Sequence, residues 1–470
     1  MLELMVDLQG GAKAPLYEKI YRHIRSEIVE GRLKKGEKLP STRLMAKNIA
    51  VSRSTVEMAY EQLLAEGYIE AEPCRGFFVC DIRGLYRIGQ GEEFQKEEAV
   101  STEGIPCRID FSPYVVDTKS FPYNVWRKIN RQILLEDREE LLLAGDGQGE
   151  PGLRKSIMNY LHHARGVNCR SEDIILGAGN EYLEILLTQL LGQGRTVLME
   201  DPGYPQAYHT FSKMGYTVET VPAEAGGLDD AAVRNTKADL VYVMPSHQFP
   251  LGSVMPLGER MKLLQWAGEK EGRYLIEDDH DSEYRYRGKP IPSLQSIDRN
   301  GRVIYLGTFS KSVAPSLRIS YLVLPPQLTE IYRRECGFYA PTVSRILQDA
   351  LKAFLEGGYF ERHLNKMRGI YRSRHDFLLA ELKGRRWAGK ISGEYAGLHL
   401  LVYVKSELTE EEICRRARMR GVKISGLTEY CLQRENAVGT PALLLGYGGL
   451  DEEEICQGLR ILDGIIEQES

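Results

Sequence analysis

The stretch Gly307-Thr308-Phe309-Ser310-Lys311-Ser312-Val313-Ala314-Pro315-Ser316-Leu317-Arg318 decides how most of this chain is interpreted. It follows the apolar run 303–306 and combines hydroxyl side chains, the amine of Lys311 and the guanidinium of Arg318. A short apolar run before such a loop indicates a strand, and ligands of α/β sheets bind where strands end. The loop is therefore predicted to form part of a ligand site.

Short apolar runs alternate with helical patterns and glycine-rich turns from residue 109 onward. Strands are predicted at 174–176, 196–199, 240–244, 274–276, 303–306 and 321–323. This alternation is typical of an α/β domain with a mostly parallel sheet and flanking helices. From about residue 341, long helices precede strands such as 398–403 and 443–445, which indicates a small α+β C-terminal domain. One effector domain is expected over 108–470.

The residues that could hold pyridoxal 5'-phosphate are spread along this domain. The cofactor needs an amine, an acid facing the pyridine nitrogen, a stacking aromatic ring and donors for its phosphate. Lys311, Asp278 and Tyr204 are the candidates for the first three roles. Free N–H groups at a helix start can bind phosphate. The predicted phosphate cup consists of Gly177-Ala178-Gly179-Asn180-Glu181, Thr308, Ser310 and Arg318.

Residues 13–80, which we call the head, show the pattern of a winged helix-turn-helix. Helical periodicity over 15–30 precedes a second helix capped by Ser41 or Thr42 and a third capped by Ser52. Leu44, Ala46 and Ile49 are expected to be buried in the second helix, and two short strands flank a turn at 73–76. The third helix of this fold reads the major groove. The expected DNA contacts are Arg43, Ser52, Arg53, Ser54, Thr55 and Arg75.

Composition limits the remaining possibilities. A hydrophobic content of 43% and a charged content of 27% are typical of a globular protein, and no apolar run could span a membrane. A cytoplasmic location is expected, since the N-terminus lacks a signal pattern. The eight cysteines show no zinc spacing, so no metal is expected. Residues 81–107 are rich in Gly and Glu and are predicted to be a flexible linker.

The net charge of −5 hides a basic head, because residues 13–55 hold eleven Lys/Arg against four Asp/Glu. Positive charge favours nucleic-acid binding. A solvated basic face on a protein-binding module is the alternative interpretation of this head.

The head resembles the GntR family of bacterial regulators, and residues 109–470 resemble the fold-type I aminotransferases. The head motifs are Pro15-Leu16-Tyr17, Gly36-Glu37-Lys38-Leu39-Pro40-Ser41-Thr42-Arg43, Val51-Ser52-Arg53-Ser54-Thr55-Val56 and Ala65-Glu66-Gly67-Tyr68-Ile69. The other shared segments are Gly145-Asp146-Gly147, Arg165-Gly166-Val167, Met244-Pro245-Ser246-His247-Gln248-Phe249-Pro250-Leu251-Gly252, 276–286 and 307–318. The whole chain is similar to the MocR/GabR regulators, which fuse these two parts.

This resemblance implies roles for single residues. Lys311 is expected to form an imine with pyridoxal phosphate, Asp278 to pair with the ring nitrogen, Tyr204 to stack and Arg318 to meet the phosphate. The resemblance also implies a homodimer with a head-to-tail arrangement.

Positions at the cofactor site, the wing and the C-terminal segment depart from the family pattern. His280 stands where a tyrosine usually binds the ring oxygen, and Glu181 occupies a position in the phosphate loop that is usually neutral. Cys74 replaces a glycine at the wing. Arg434 is the only basic candidate for a ligand carboxylate near the C-terminus.

The sequence therefore predicts a transcriptional regulator that binds double-stranded operator DNA through its head. It is expected to sense pyridoxal phosphate, or a small amine or amino acid that reacts with it, through an imine at Lys311. An active aminotransferase that carries a DNA-binding domain is the alternative, because Lys311 and Asp278 are both present. A third interpretation is a regulator that has lost the cofactor.

Overall fold

A computed structural model describes residues 15–81, 106–223, 228, 230–286, 288, 291–433 and 439–467 of the chain. The chain forms two compact units, residues 1–104 and 105–470. Most of the predicted linker at 81–107, and Arg434, lie outside the described residues.

Within residues 15–81, the first unit contains three helices and a two-stranded wing, as predicted. Its elements are α1 (Leu16–Val29), α2 (Thr42–Asn48), α3 (Arg53–Ala65), β1 (Ile69–Glu72) and β2 (Gly76–Val79). The Ser41 hydroxyl accepts a hydrogen bond from the Leu44 N–H, and the Ser52 hydroxyl accepts one from the Thr55 N–H. These serines cap α2 and α3, because a hydroxyl satisfies an N–H that the first helical turn leaves without a partner.

The buried side of α2 differs from the sequence prediction. Leu44 is 41% exposed and Ile49 is half-buried, whereas Met45 and Ala46 are buried. A helix of seven residues makes only two turns, so apolar periodicity does not define its inward face. Met45 instead packs in the core of the head with Ile20, Ile24 and Val56.

The second unit combines eleven helices and thirteen strands within its described residues. The helices are α4 (Tyr123–Leu135), α5 (Pro151–Arg165), α6 (Asn180–Leu191), α7 (Pro205–Lys213), α8 (Asp230–Asn235), α9 (Leu257–Gly268), α10 (Pro326–Glu335), α11 (Arg345–Glu356), α12 (Tyr359–Lys383), α13 (Glu410–Met419) and α14 (Glu452–Ile466). The strands are β3 (Ile109–Asp110), β4 (Ile174–Gly177), β5 (Thr196–Asp201), β6 (Thr217–Pro222), β7 (Leu240–Val243), β8 (Tyr274–Asp279), β9 (Val303–Thr308), β10 (Ser320–Val323), β11 (Ala388–Ser392), β12 (His399–Val404), β13 (Val422–Lys423), β14 (Ser425–Gly426) and β15 (Ala442–Gly446).

Seven strands form the large sheet in the order β4-β10-β9-β8-β7-β5-β6. Only β10 runs antiparallel to its neighbours, so the prediction of a mostly parallel sheet is confirmed. The sequence prediction missed β6, an edge strand without a buried residue in its pattern. Its residues are half-buried or exposed, so it lacks the apolar run by which the inner strands were recognised.

A second, antiparallel sheet has the order β11-β12-β15-β14 and confirms the predicted small α+β part. The pair β3 and β13 lies beside it, with Ile109 opposite Val422 in parallel register. The Phe111 carbonyl accepts a hydrogen bond from the Gly446 N–H on β15, at 2.7 Å. The first described strand of the unit therefore belongs to the layer formed by its last 80 or so residues.

The large sheet positions the functional groups. The carboxyl ends of β8 and β9 lie side by side, with Asp279 opposite Gly307. Asp278 and Thr308 therefore reach one edge of the sheet, where ligands of parallel sheets bind. None of the helices described in the structure is long and apolar enough to cross a membrane.

Glu200 on β5 should make the stability of the second unit depend on pH. Burial raises the pKa of Glu200 to about 8, whereas an ordinary glutamate has a pKa of 4.5. The folded state therefore holds a proton that the unfolded state releases between these values, and the free energy of unfolding falls as pH rises through that window. Raising the pH from 6 to 8 should destabilise the wild type relative to Glu200→Gln by about 1–3 kcal/mol.

Tryptophan fluorescence during urea unfolding measures this difference. All three tryptophans, Trp126, Trp266 and Trp387, lie in the second unit, so the signal excludes the head. Groups other than Glu200 titrate equally in both proteins and cancel in the comparison. Parallel pH profiles for wild type and variant would contradict a buried, protonated Glu200.

Candidate cofactor site

One cavity, which we call the cofactor cavity, brings together the residues predicted to bind pyridoxal phosphate, except Gly177 and Ala178, which do not line it. Its lining consists of Tyr114, Gly179, Asn180, Glu181, Tyr204, Met244, Phe249, Asp278, His280, Thr308, Ser310, Lys311, Pro315, Arg318 and Ser320. Most of these residues come from the carboxyl ends of β8 and β9, the start of α6 and the loop after β9, and the others follow β3, β5 and β7 or begin β10.

Asp278 is a buried acid at the cavity wall. Its Oδ2 accepts a 2.5 Å hydrogen bond from the Tyr242 hydroxyl on β7. Its Oδ1 has no hydrogen-bond partner among the residues that the structure describes. Burial raises the pKa of Asp278, and the positive charge of His280 and the Tyr242 hydroxyl oppose this rise. A cationic N–H in the cavity would satisfy the remaining oxygen, since a buried acceptor without a partner is costly.

Lys311 lies beside a second acid that the sequence prediction did not identify. Its Nζ is 3.6 Å from Oδ2 of Asp281, which is 1% exposed. The His247 Nδ1 lies 3.0 Å from Oδ1 of the same carboxylate. Although burial alone would raise the pKa of Asp281, the charges of His247, His280 and Lys311 hold it well below its ordinary value. Asp281 is therefore a carboxylate at neutral pH, and it pairs with the amine.

His280 lines the cavity between these two acids. Its Nε2 lies 3.3 Å from Oδ2 of Asp281, without the geometry of a hydrogen bond. The phenyl ring of Phe249 is perpendicular to the imidazole, with ring centroids 6.2 Å apart. The imidazole is thus placed where it can donate either to Asp281 or to a ligand in the cavity.

Tyr204 approaches the cavity from the start of α7. Its ring meets Phe249 edge-on, with centroids 6.1 Å apart, and Phe249 also contacts Tyr114 at 5.8 Å. Sequence reasoning did not identify Tyr114 or Phe249 as lining residues. Phe249 stood in a quoted family segment, but Tyr114 lies far from every motif and carried no signal.

The predicted phosphate cup surrounds the N-terminus of α6. Gly179 caps this helix with φ +102°, a conformation that suits glycine. The Thr308 hydroxyl donates to the Ser310 hydroxyl at 3.0 Å and accepts from Ser320 at 2.9 Å. These hydroxyls and the helix N–H groups provide donors for an anion.

The cup already contains an ion pair. Nη2 of Arg318 lies 2.7 Å from Oε2 of Glu181 in the first turn of α6. Arg318 itself adopts a left-handed backbone conformation, with φ +51°. A non-glycine residue in that region is uncommon and is retained where surrounding contacts hold it.

A buried ion pair anchors the end of β8. Nε of Arg165 lies 2.7 Å from Oδ2 of Asp279, and both side chains are at least 96% buried. Arg165 also donates to the Ser246 hydroxyl and to the Ile291 carbonyl, and the Tyr305 hydroxyl donates to Asp279. Successive side chains of a strand point to opposite faces. The contacts that hold Asp279 on one face of β8 therefore also fix the residue before it on the other face.

The head presents the residues predicted to contact DNA at or near the start of α3 and on the wing. Arg53 and Arg75 are 65% and 71% exposed and pair with Glu57 and Glu72. The Ser52 hydroxyl is engaged within the cap, at 2.9 Å from Ser54 and 2.6 Å from Thr55. Arg43 is exposed on α2.

The wing turn contains a strained residue. Cys74 adopts φ +60°. The left-handed region is costly for a residue with a side chain, so this position would favour glycine.

Comparisons with known proteins agree with this division. Residues 16–79 match the family described as "Bacterial regulatory proteins, gntR family", and residues 110–436 match "Aminotransferase class I and II". The chain is 38% identical to the uncharacterized HTH-type transcriptional regulator YdeL of Bacillus subtilis, over 95% of this chain and 96% of that protein. It is 34% identical to the probable rhizopine catabolism regulatory protein MocR of Rhizobium meliloti, over 97% and 95% of the two chains.

Among solved structures, kynurenine aminotransferase of Pyrococcus horikoshii superposes on this chain with a TM-score of 0.68. The alignment covers 83% of this chain and 98% of that chain, at 24% identity. This likeness shows that the second unit has the aminotransferase fold.

Replacing Arg165 should destabilise the second unit strongly. Arg165→Ala leaves the Asp279 carboxylate buried without its cation, which typically costs about 3–5 kcal/mol. Urea unfolding followed by tryptophan fluorescence measures the loss. Arg334→Ala removes an exposed pair with Glu335 on α10, and should cost less than about 1 kcal/mol. Equal effects of the two substitutions would show that the Arg165–Asp279 pair is not an anchor.

Proposed function

Because this chain belongs to the MocR-type regulators of the GntR family, with a helix-turn-helix head and an aminotransferase class I and II domain, we propose that it is a pyridoxal-phosphate-dependent transcriptional regulator. Its head binds double-stranded operator DNA. Its second unit responds to pyridoxal phosphate, or to a small amine or amino acid that reacts with it. The cofactor cavity carries this proposal, since it combines an amine, a buried acid and an anion cup.

The residues present fit this cofactor. Asp278 offers an unpartnered buried oxygen, which suits the protonated pyridine nitrogen, and the Lys311 amine reaches the same cavity. Asn180 also has a buried oxygen without a partner among the described residues. Arg318 and the α6 N-terminus suit the phosphate. Tyr204 supplies an aromatic ring at the cavity wall.

When bound, pyridoxal phosphate supplies a carbonyl carbon that reacts with amines and a ring that withdraws electrons. Asp281 holds the Lys311 side chain at the cavity wall through their 3.6 Å ion pair. His280 Nε2 lies 3.3 Å from the same carboxylate, so Asp281 holds the imidazole and the amine side by side at the cavity wall. Phe249 meets both His280 and Tyr204 edge-on, so two aromatic rings lie beside the imidazole.

Regulation is favoured over metabolic turnover because the cavity is joined to a DNA-binding head. An aminotransferase with an accessory head is the second candidate, and the complete set of Lys311, Asp278 and the phosphate cup is the observation that supports it. Multiple-turnover transamination without any effect of ligands on operator binding would favour that candidate.

We also propose that the regulator acts as a homodimer, arranged head to tail. One recognition helix reads only a few base pairs, so two heads are needed to select a site in a genome. Paired half-sites in the operator would match this symmetry.

Lys311→Ala should abolish covalent cofactor binding. The wild type should show a visible absorbance band with pyridoxal phosphate, and borohydride should remove the band and leave the cofactor attached to the peptide that contains Lys311. Lys270→Ala, an exposed lysine paired with Asp239, serves as the control and should keep both signals. A band and a trapped adduct that persist in Lys311→Ala would refute this assignment.

DNA binding by the head should depend strongly on salt. If the basic surface makes about six phosphate contacts, affinity should fall about a thousandfold between 50 and 200 mM salt. Arg53→Ala should cost about 1–3 kcal/mol and relax the preference at one base pair, if Arg53 reads a base edge. Fluorescence anisotropy with labelled operator measures both effects, with Arg334→Ala as the control. A flat salt profile would contradict this role of the head.

A further inference from the structure

We infer that Glu181 is an internal competitor of the ligand phosphate. Its carboxylate pairs with Arg318, the cation of the phosphate cup. A ligand that carries phosphate must therefore break the Glu181–Arg318 ion pair before its phosphate can pair with Arg318. The inference rests on the proposed function and deepens it. It identifies the sensed ligand as a pyridoxal compound that carries phosphate and that is loaded reversibly.

The Arg318 guanidinium already has an anionic partner. Its Nη2 lies 2.7 Å from Glu181 Oε2 and donates to the Ala178 carbonyl at 3.3 Å. A Cβ at Gly179 would overlap the Arg318 guanidinium and lie 2.9 Å from Glu181 Oε2. The absence of a side chain at Gly179 therefore lets the ion pair lie directly over the start of α6.

Glu181 lies at the helix end where a phosphate would bind. It is in the first turn of α6, where the helix dipole and free N–H groups attract an anion. A bound phosphate uses the same helix end and the same guanidinium. The Glu181 carboxylate thus imitates the anion that this site would bind, and the two anions repel each other when both are present.

The cavity contains few positive charges for a phosphate to meet. Arg318 and Lys311 are the only lysine or arginine residues among those that line the described cavity, and Lys311 already pairs with Asp281. Thr308, Ser310 and Ser320 contribute only neutral hydroxyls. Neutralising Arg318 by Glu181 therefore removes most of the favourable charge that a phosphate would meet.

This arrangement suits a sensor. An enzyme gains from holding its cofactor tightly, whereas a sensor responds only when its dissociation constant lies near the changing concentration of its ligand. Glu181 weakens phosphate binding without altering the amine or the acid that contact the rest of the cofactor.

The test compares two ligands that differ only in the phosphate. Full-length apoprotein is titrated with pyridoxal phosphate and with pyridoxal, and dissociation constants are obtained from the visible absorbance and from tryptophan quenching. Glu181→Gln should tighten pyridoxal phosphate binding about five- to tenfold, since it removes both an exposed ion pair and a repulsion. Pyridoxal binding should stay within about twofold, because this ligand has no anion to compete with Glu181.

Glu259→Gln is the matched control. Glu259 is also an acid in the first turn of a helix, and it pairs with a surface lysine, Lys262, rather than with the cup. It should leave both dissociation constants unchanged, and circular dichroism checks that each variant is folded.

An unchanged or weaker affinity of Glu181→Gln for pyridoxal phosphate would overturn the inference, as would equal tightening for both ligands. In either case the wild type still shows its cofactor band, so the proposed function stands. If neither protein binds either ligand, the proposed function itself fails.

Discussion

The buried pair of Arg165 and Asp279 is the interaction on which the cofactor cavity depends. Two charges removed from water stabilise a fold only when they lie close together and further hydrogen bonds support them. Arg165 has this support from Asp279, Ser246 and the Ile291 carbonyl, which belong to three separate chain segments, whereas Oδ1 of Asp279 has no partner among the described residues. These segments meet behind the end of β8. The strand end is therefore rigid, and the groups on its other face are held in place before any ligand arrives.

Carboxyl groups that lie close together in the second unit carry different charges, because their surroundings differ. Asp281 is ionised because His247, His280 and Lys311 surround it. Burial raises the pKa of Glu184 on α6 well above its ordinary value, and the charge of Asp278 adds to this effect, so Glu184 stays protonated. Asp278 consequently faces the cavity without a second negative charge behind it. The second unit thus carries one anion near the amine and one acid near the expected ring nitrogen.

Sequence patterns were sufficient for the inner strands and for the three-helix architecture of the head, and most residues predicted to hold the cofactor lie around one cavity, because each of these features belongs to a local motif. They were insufficient for Tyr242, His247 and Asp281, which pair with Asp278, with each other and with Lys311 across 30 or more residues of the chain. Only folding brings such partners together. The prediction missed the edge strand β6 and misplaced the buried face of α2 for another reason. Short or half-exposed elements have too few buried residues to show an apolar period.

The pairing of β3 with β13 has a mechanical consequence. Residue 109 lies in the first strand that the structure describes in the second unit, and it is hydrogen-bonded into the small layer rather than into the large sheet. Residues 109–111 and the small layer therefore form one mechanical body, in which a displacement of either part is transmitted to the other through these hydrogen bonds.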